Sequence, residues 1–300
     1  MSESSAAATK TSSPSCGCWG RTSISKDNGS VPVNGASPSS EPSVEPDQSA
    51  KAVRVRKETL QPSVFWILAT IVLPAVNLAV RYRVTDARKL PQTGAFVLSP
   101  NHFSEIDPIV VGALAWKLGR APRFMAKASV FKIPVLGWLL RKSGQIPVER
   151  GGVARGNEPV KAARRLVERG QMVIVYPEGS LTRDPELWPM RGKTGAVRIA
   201  LEQGIPIVPI AHWGTQDLMP RYSKRISPFP RKTIHVKIGD PLSFDEFKGR
   251  GLDTATLNEA TAILMDAITG LLEDLRGEKA PAKRWNPSEH DQKETGRFEG

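Results

Sequence analysis

The sequence predicts an α/β fold: a mixed, largely parallel sheet flanked by helices. Three observations carry that prediction. From residue 84 onward, short apolar runs alternate with helical stretches, the pattern of a sheet whose strands are joined by helical crossovers. Those runs are apolar throughout instead of alternating, as strands covered on both faces are. Two of the helical stretches, Glu158–Arg169 and Gly195–Gln203, stop at Gly170 and Gly204, and glycine is the usual residue just past a helix end.

Taken in order, residues 1–50 are rich in Ser, Pro, Ala and Gly and nearly free of large apolar side chains. Such a stretch cannot offset its ordering entropy and is expected to be a disordered tail. It has no apolar block near Met1 and so does not read as a signal peptide. Residues 51–83 form a segment of another kind. Eighteen uncharged residues, 63–80, lie between Lys51, Arg54, Arg56 and Lys57 on one side and Arg81 and Arg83 on the other. That length is the lower edge of what spans a bilayer, and Pro74 and Asn77 weaken a spanning helix. A membrane-associated helical segment lying in the interface fits as well, and a buried core helix is the third reading. Cations on both sides give no orientation.

The domain proper is expected over 84–276. Ala95–Leu98 reads as a strand and Pro108–Leu118 as a helix with proline in its first turn. Arg123–Ala126 is a short strand, Val135–Lys142 a helix, Gln145–Val148 a strand, and Met172–Tyr176 an apolar strand after the helix at 158–169. Ile207–Ala211 is a strand that Pro209 confines to an edge or a bulge. Ile234–Ile238 is the last clear strand. A final helix runs from about Leu257 to Arg276, with Thr256 and Glu259 at capping-box spacing and Leu257, Leu264, Ile268, Leu271 and Leu275 near one stripe. Residues 277–300 form a polar C-terminal tail.

The net charge of +12 is unevenly placed. The first fifty residues hold three Lys/Arg against five Asp/Glu, whereas Lys117–Arg169 holds thirteen Lys/Arg against three Glu. A basic block within the folded part points to anionic ligands. The basic residues are not interleaved with aromatics as a single-strand platform requires, so nucleic acid is not the expected partner. Cys16 and Cys18 are the only cysteines and lie in the tail. There is no disulfide framework, no zinc ligand set is in view, and the chain fits a reducing compartment.

Four segments carry candidate chemistry. In Ser99–Ile109, SPNHFSEIDPI, His102 follows a strand and Asp107 precedes Pro108. A four-residue loop can bring the carboxylate to one imidazole nitrogen, fixing the tautomer and leaving the other nitrogen to take a proton. With no G-x-S-x-G and no cysteine in the folded region, the nucleophile would come from the substrate. An Asp before Pro is also an ordinary N-cap, and on this segment alone that reading stands in front. The second segment, Met125–Arg150, carries Lys127, Lys132, Arg141, Lys142 and Arg150 around apolar residues, either a phosphate clamp or a solvated basic face. In the third, the strand ending at Tyr176 turns through Pro177-Glu178-Gly179-Ser180, and such a turn exposes N–H groups to anions, with Arg183, Arg191 and Lys193 nearby. Gly192-Lys193-Thr194 is not a Walker A motif, because Leu187 stands where glycine is required. In the fourth, Gly204–Gly214, His212 reads as structural.

Together these segments resemble the glycerolipid acyltransferase family, the 1-acylglycerol-3-phosphate acyltransferases in particular, over roughly residues 60–250. Asn101-His102 with Asp107 is similar to its H-x4-D signature. Lys127, Phe131, Pro134, Gly137, Gly144, Pro147 and Arg150 fall in the pattern of its second motif, Tyr176–Ser180 resembles F-P-E-G-T, and Val208-Pro209-Ile210 its last motif. One departure stands out: the family's Arg directly after Thr is here Arg183, two positions late.

The resemblance implies acyl transfer from a thioester, acyl-CoA or acyl carrier protein, to a hydroxyl of a glycerol phosphate lipid, with His102 as base and Asp107 as its orienter. It implies Lys127, Arg150, Glu178, Gly179, Ser180 and Arg183 around the acceptor's phosphate, with no metal and no cofactor beyond the acyl co-substrate. It also implies a lipid substrate in the membrane and a place at the cytoplasmic face of the cell membrane. Two rivals stand beside it: the same transfer to another lysolipid or a glycolipid, and a non-enzymatic basic module that binds membrane or nucleic acid.

Overall fold

The computed structural model describes residues 58–60, 63–148 and 164–293, without the side chains of Leu60, Ala126, Lys127 and Val148. The N-terminal tail with its two cysteines, the cations at 51–57, Arg150, the first half of the helix expected at 158 and residues 294–300 lie outside the described residues.

Helix α1 spans Val64–Ala79. It is followed at once by β1, Val80–Thr85. Next come β2 (Phe96–Pro100), α2 (Asp107–Lys117), β3 (Met125–Lys127), α3 (Leu136–Lys142) and β4 (Ile146–Val148). Residues 164–168 are helical (α4) and lead to β5, Met172–Ile174. Then follow α5 (Gly195–Gln203), β6 (Ile207–Trp213), α6 (Thr215–Leu218), β7 (Lys232–Ile238) and α7 (Thr254–Arg276).

Five strands form one sheet in the order β1-β7-β6-β2-β5. Every neighbouring pair is parallel except β6 with β7. The sheet is therefore mixed and largely parallel, as expected. β3 and β4 form a small parallel sheet of their own, joined to β5 by a parallel bridge from Phe124 to Ile174. Both faces of the main sheet are covered. Phe96 and Leu98 of β2 pack in one core with α1 and α2, while Val97 packs in another with α5 and α7. That alternation explains why β2 reads as continuously apolar.

Three expectations are corrected here. Val80–Thr85, which the sequence pattern marks only as the basic flank of a helix, is an edge strand on β7; its Arg81 and Arg83 face solvent. Pro209 does not put β6 at an edge, because β6 lies in the middle of the sheet. The Pro209 carbonyl accepts from Gly239 N, and one residue's N and C=O point the same way in a strand. The missing N–H therefore faces the end of β7, beyond the last residue pair at Ile210 and Ile238, and costs β2 nothing. Helix α7 is capped not by Thr256 with Glu259 but by Asp253, whose carboxylate accepts from Thr256 N at 2.7 Å.

Among the described residues no helix is long and apolar enough to cross a membrane. Helix α1 buries Phe65 and Val76 and leaves Trp66, Ile67, Ile71 and Leu78 exposed. Helix α7 lies against β6 with Leu264 and Ile268 fully buried. Replacing Leu264 by alanine is expected to cost about 2–5 kcal/mol, read as a lower urea midpoint with an unchanged slope; a loss within error would place Leu264 outside the core.

Candidate active site

Strands β2, β5 and β6 run in one direction, so their C-terminal ends share one end of the sheet. Loops gathered at that end of an open α/β sheet are the usual place for a reactive site. The sequence places NHFSEID after β2, YPEGS after β5 and HWGT at the end of β6.

Asp107 is the innermost group. It is fully buried, and it is the first residue of α2, not its N-cap. Its carboxylate turns back over the loop. Oδ2 accepts from Phe103 N at 2.9 Å and Ser104 N at 2.8 Å and lies 3.0 Å from His102 Nδ1. Oδ1 accepts from Thr215 Oγ1 at 2.5 Å. Burial alone would raise the Asp107 pKa, but the neighbouring His212, the bond from His102 and the Thr215 hydroxyl together hold it below the ordinary carboxylate value. An ionised Asp107 accepts at His102 Nδ1, so the Nδ1 position carries the proton and Nε2 keeps its lone pair. The His102 side chain is 12% exposed, and the Tyr176 ring lies against its own with centroids 4.1 Å apart.

His212, which the sequence pattern marks as structural, lies behind this loop at the end of β6. It is buried, with Nε2 3.0 Å from the Asn101 carbonyl. Asn101 returns two bonds, accepting from His212 N and donating to His212 O. The pair fastens the end of β2 to the end of β6. Burial keeps the His212 pKa low despite nearby Asp107, so the ring is neutral with its proton on Nε2.

The turn after β5 is fixed to the same loop. Glu178 is fully buried. Its Oε1 accepts from His102 N at 2.9 Å and its Oε2 from Met190 N at 3.0 Å. Both oxygens are engaged by backbone amides, so the carboxylate braces the loops instead of facing a phosphate, which corrects its expected place among the phosphate-holding groups. Gly179 sits at φ +69°, where an added Cβ would meet the Lys193 side chain at 3.0 Å; glycine serves the turn on both counts. Ser180 is buried beside it.

The late arginine stays in the site. Thr182 N donates to His102 O at 2.7 Å, so Arg183 begins one residue from the histidine's own carbonyl contact. It is buried, with Nη1 3.4 Å from Tyr222 Oη. Arg221 holds this longer loop in place, donating to Thr182 O and Asp184 O at 2.7 Å each. Arg191 and Lys193 line a cleft of about 360 Å³ that reaches Glu178. Lys127 closes β3. Its side chain, and Arg150 entirely, lie outside the described residues. Sequence reasoning missed Thr215, 108 residues from Asp107, and Arg221 and Tyr222; no local pattern marks any of them.

The family model described as Acyltransferase matches residues 81–213, which include the loops after β2 and β5 and the end of β6; Thr215, Arg221 and Tyr222 follow it. The curated 1-acyl-sn-glycerol-3-phosphate acyltransferase of Bacillus subtilis (strain 168) is 30% identical over 167 residues, 55% of this chain and 75% of that protein. The chain belongs to this acyltransferase family. A chloroplastic 1-acyl-sn-glycerol-3-phosphate acyltransferase of Brassica napus is 37% identical over 126 residues, covering 42% of this chain and 35% of that protein. The acyltransferase chain thus spans about a third of the length of that plant relative. The crystal structure of the 1-acyl-sn-glycerophosphate acyltransferase PlsC from Thermotoga maritima superposes with a TM-score of 0.50 at 20% identity, covering 74% of this chain and 86% of that one. That likeness shows a shared fold.

Burial pushes the Glu178 pKa up from 4.5 to about 8, against the opposing bonds from Met190 N and His102 N. A carboxyl that holds its proton more tightly when folded adds most stability below its unfolded pKa and loses it as pH rises through the folded value. Between pH 5 and pH 8 the parent acyltransferase should therefore lose stability relative to Glu178→Gln, by about 1.4 kcal/mol at most per pH unit. Parallel unfolding curves at several pH values check this; a constant difference across the window would mean that Glu178 is ionised throughout.

Proposed function

We propose that the chain transfers a fatty acyl group from an acyl thioester to the sn-2 hydroxyl of 1-acylglycerol-3-phosphate, making phosphatidic acid for phospholipid synthesis. The observation that carries the reading is the His102–Asp107 pair, a base held in one tautomer by a buried carboxylate at the loop end of the sheet.

In this reading the acceptor hydroxyl attacks the thioester carbonyl while His102 Nε2 takes its proton. Asp107 stabilises the imidazolium that forms. The tetrahedral intermediate collapses, the C–S bond breaks, and the imidazolium returns the proton to the leaving sulfur. Proton and acyl group pass between the two substrates and His102, so the step needs neither metal nor bound cofactor. The acceptor's phosphate would be held by Arg183 with Lys127 and Arg150, and by the turn at Gly179 and Ser180, whose shape Glu178 maintains. Arginine suits that task through its planar fork of donors.

The donor is acyl-CoA or an acyl carrier protein; both present the same thioester, and the site chemistry treats them alike. α1, with its exposed Trp66, Ile67, Ile71 and Leu78, belongs to the membrane-associated segment 51–83. Residues 84–276 form the acyltransferase domain, whose sheet β1 completes. The substrate and product are lipids, which supports a reaction at a membrane surface, in this reading the cytoplasmic face of the cell membrane.

The test mixes detergent-purified protein with palmitoyl-CoA and 1-acylglycerol-3-phosphate, following thiol release and phosphatidic acid together. His102→Ala should lower turnover by about 10²–10⁴-fold, the usual worth of a general base. Alanine at Arg183, Lys127 or Arg150 should raise the KM for the acceptor. An unchanged KM in all three would point to an acceptor without a phosphate, and equal turnover in a folded His102→Ala protein would end the reading.

A further inference from the structure

Two exposed tips of the molecule combine large apolar side chains with cations, and neither contains an acidic residue. The first spans 131–142, FKIPVLGWLLRK. Ile133 is 49%, Val135 78%, Leu136 38% and Trp138 51% exposed, and Lys132, Arg141 and Lys142 are exposed beside them. The second spans 219–231, MPRYSKRISPFPR. It exposes Ile226 at 51% and Phe229 at 63%, with Lys224 and Arg225 exposed between Tyr222 and Phe229.

The first tip is built, not loose. Phe131 is buried and anchors it. Its carbonyl accepts from Arg141 Nη1 at 2.8 Å, and Gly137 N donates to Ile133 O at 2.7 Å. A Cβ on Gly137 would lie 2.1 Å from the Phe131 oxygen, so only glycine permits the reversal. The chain spends a tight turn on holding apolar residues outward, where they gain nothing for folding in water.

Topology sets the second tip, and the turn that opens the first, at the end of the sheet that carries His102; α3 then runs back toward the start of β4. β3 runs parallel to β5 through the bridge from Phe124 to Ile174, so its last residue, Lys127, lies toward the same end as Tyr176, and the first tip follows directly. The second tip follows β6 and α6. It is tied to the site loop itself: Ser104 Oγ donates to Met219 O at 2.6 Å, and Tyr222 N to Glu105 Oε2 at 3.2 Å. At its far side Arg231 donates to the carbonyl of Val80, where α1 ends.

We propose that the tips at 131–142 and 219–231 form a rim that docks on an anionic lipid bilayer, bringing the mouth of the His102 site against the headgroups. Exposed Trp and aliphatic residues flanked by Lys and Arg match the boundary between acyl chains and anionic headgroups. Charge opposes a rim-to-rim contact between copies. A second copy docked through the same tips would press cation against cation, because the seven Lys and Arg of these two tips have no acidic residue among them. The inference rests on the acyl-transfer reading only for its purpose, which is delivery of a lipid acceptor without its leaving the bilayer.

Flotation of the full-length protein with phosphatidylcholine vesicles, with and without phosphatidylglycerol, tests the rim. Val135→Glu with Trp138→Glu, and separately Phe229→Glu, should each lower binding to the anionic vesicles by about tenfold or more. Lys132→Glu with Lys142→Glu keeps the apolar residues and should lose only the preference for phosphatidylglycerol. Turnover of a short-chain, water-soluble lysophosphatidate should stay within about twofold of the parent in all of them. Vesicle binding equal to the parent's in every folded variant would overturn the proposal, and so would a shift from dimer to monomer at constant vesicle binding, which would make the rim an interface between copies. If the parent turns over no acceptor, the acyl-transfer reading fails while the flotation result still decides the rim.

Discussion

Burying the Asp107 carboxylate strips it of water, and four donors take water's place. Two are backbone amides of the loop it closes, one is the Thr215 hydroxyl from beyond β6, and the fourth is His102. An uncompensated buried charge costs far more than a small domain can spare, so the loop, β6 and the histidine must take up this arrangement together. The His102 tautomer follows from it, and so does a free Nε2. The site is a consequence of how one charge is made tolerable inside the core.

A second set of bonds keeps that arrangement from sliding. Asn101 and His212 lock the ends of β2 and β6 to one another. Glu178 carries the backbone amides of His102 and Met190 on its two oxygens. Arg221 closes the carbonyls around Arg183. Arg276, the last residue of α7, lies over the rings of Trp188 and Trp213, 3.9 and 4.5 Å from their centroids, and donates to Glu186 O. These contacts join the loops to one another and to β6 and α7, which is how a site on loops acquires the precision that proton transfer needs.

Much of this was legible in the sequence where the physics is local. β2 and β6 announced themselves as apolar runs because both sheet faces are covered, α5 stopped at Gly204 as its αL cap requires, and His102 and Asp107 are close enough in sequence for one loop to join them. Where partners are distant, the sequence was silent. Nothing near Thr215 tells of a carboxylate 108 residues earlier. Val80–Thr85 looked like a basic flank because an edge strand alternates its polar residues outward. Glu178 in an anion-binding turn suggested a ligand-facing role, and only the coordinates show both oxygens occupied. The displaced Arg183 could not be placed until the contact of Thr182 with His102 fixed the longer loop.

The account turns on tautomers, and it makes the two histidines at this end of the sheet opposites. His102 carries its proton on Nδ1, facing Asp107, and His212 carries its proton on Nε2, facing the Asn101 carbonyl. Long-range nitrogen–proton correlation NMR on protein labelled with ¹⁵N-histidine, with each signal assigned by substitution, reads this directly at neutral pH. The prediction is an unprotonated Nε2 on His102 beside an unprotonated Nδ1 on His212, with the His102 pattern lost in Asp107→Asn. A proton on His102 Nε2 in the folded parent protein, or a His102 pattern unchanged in Asp107→Asn, would contradict the claim that Asp107 prepares the base.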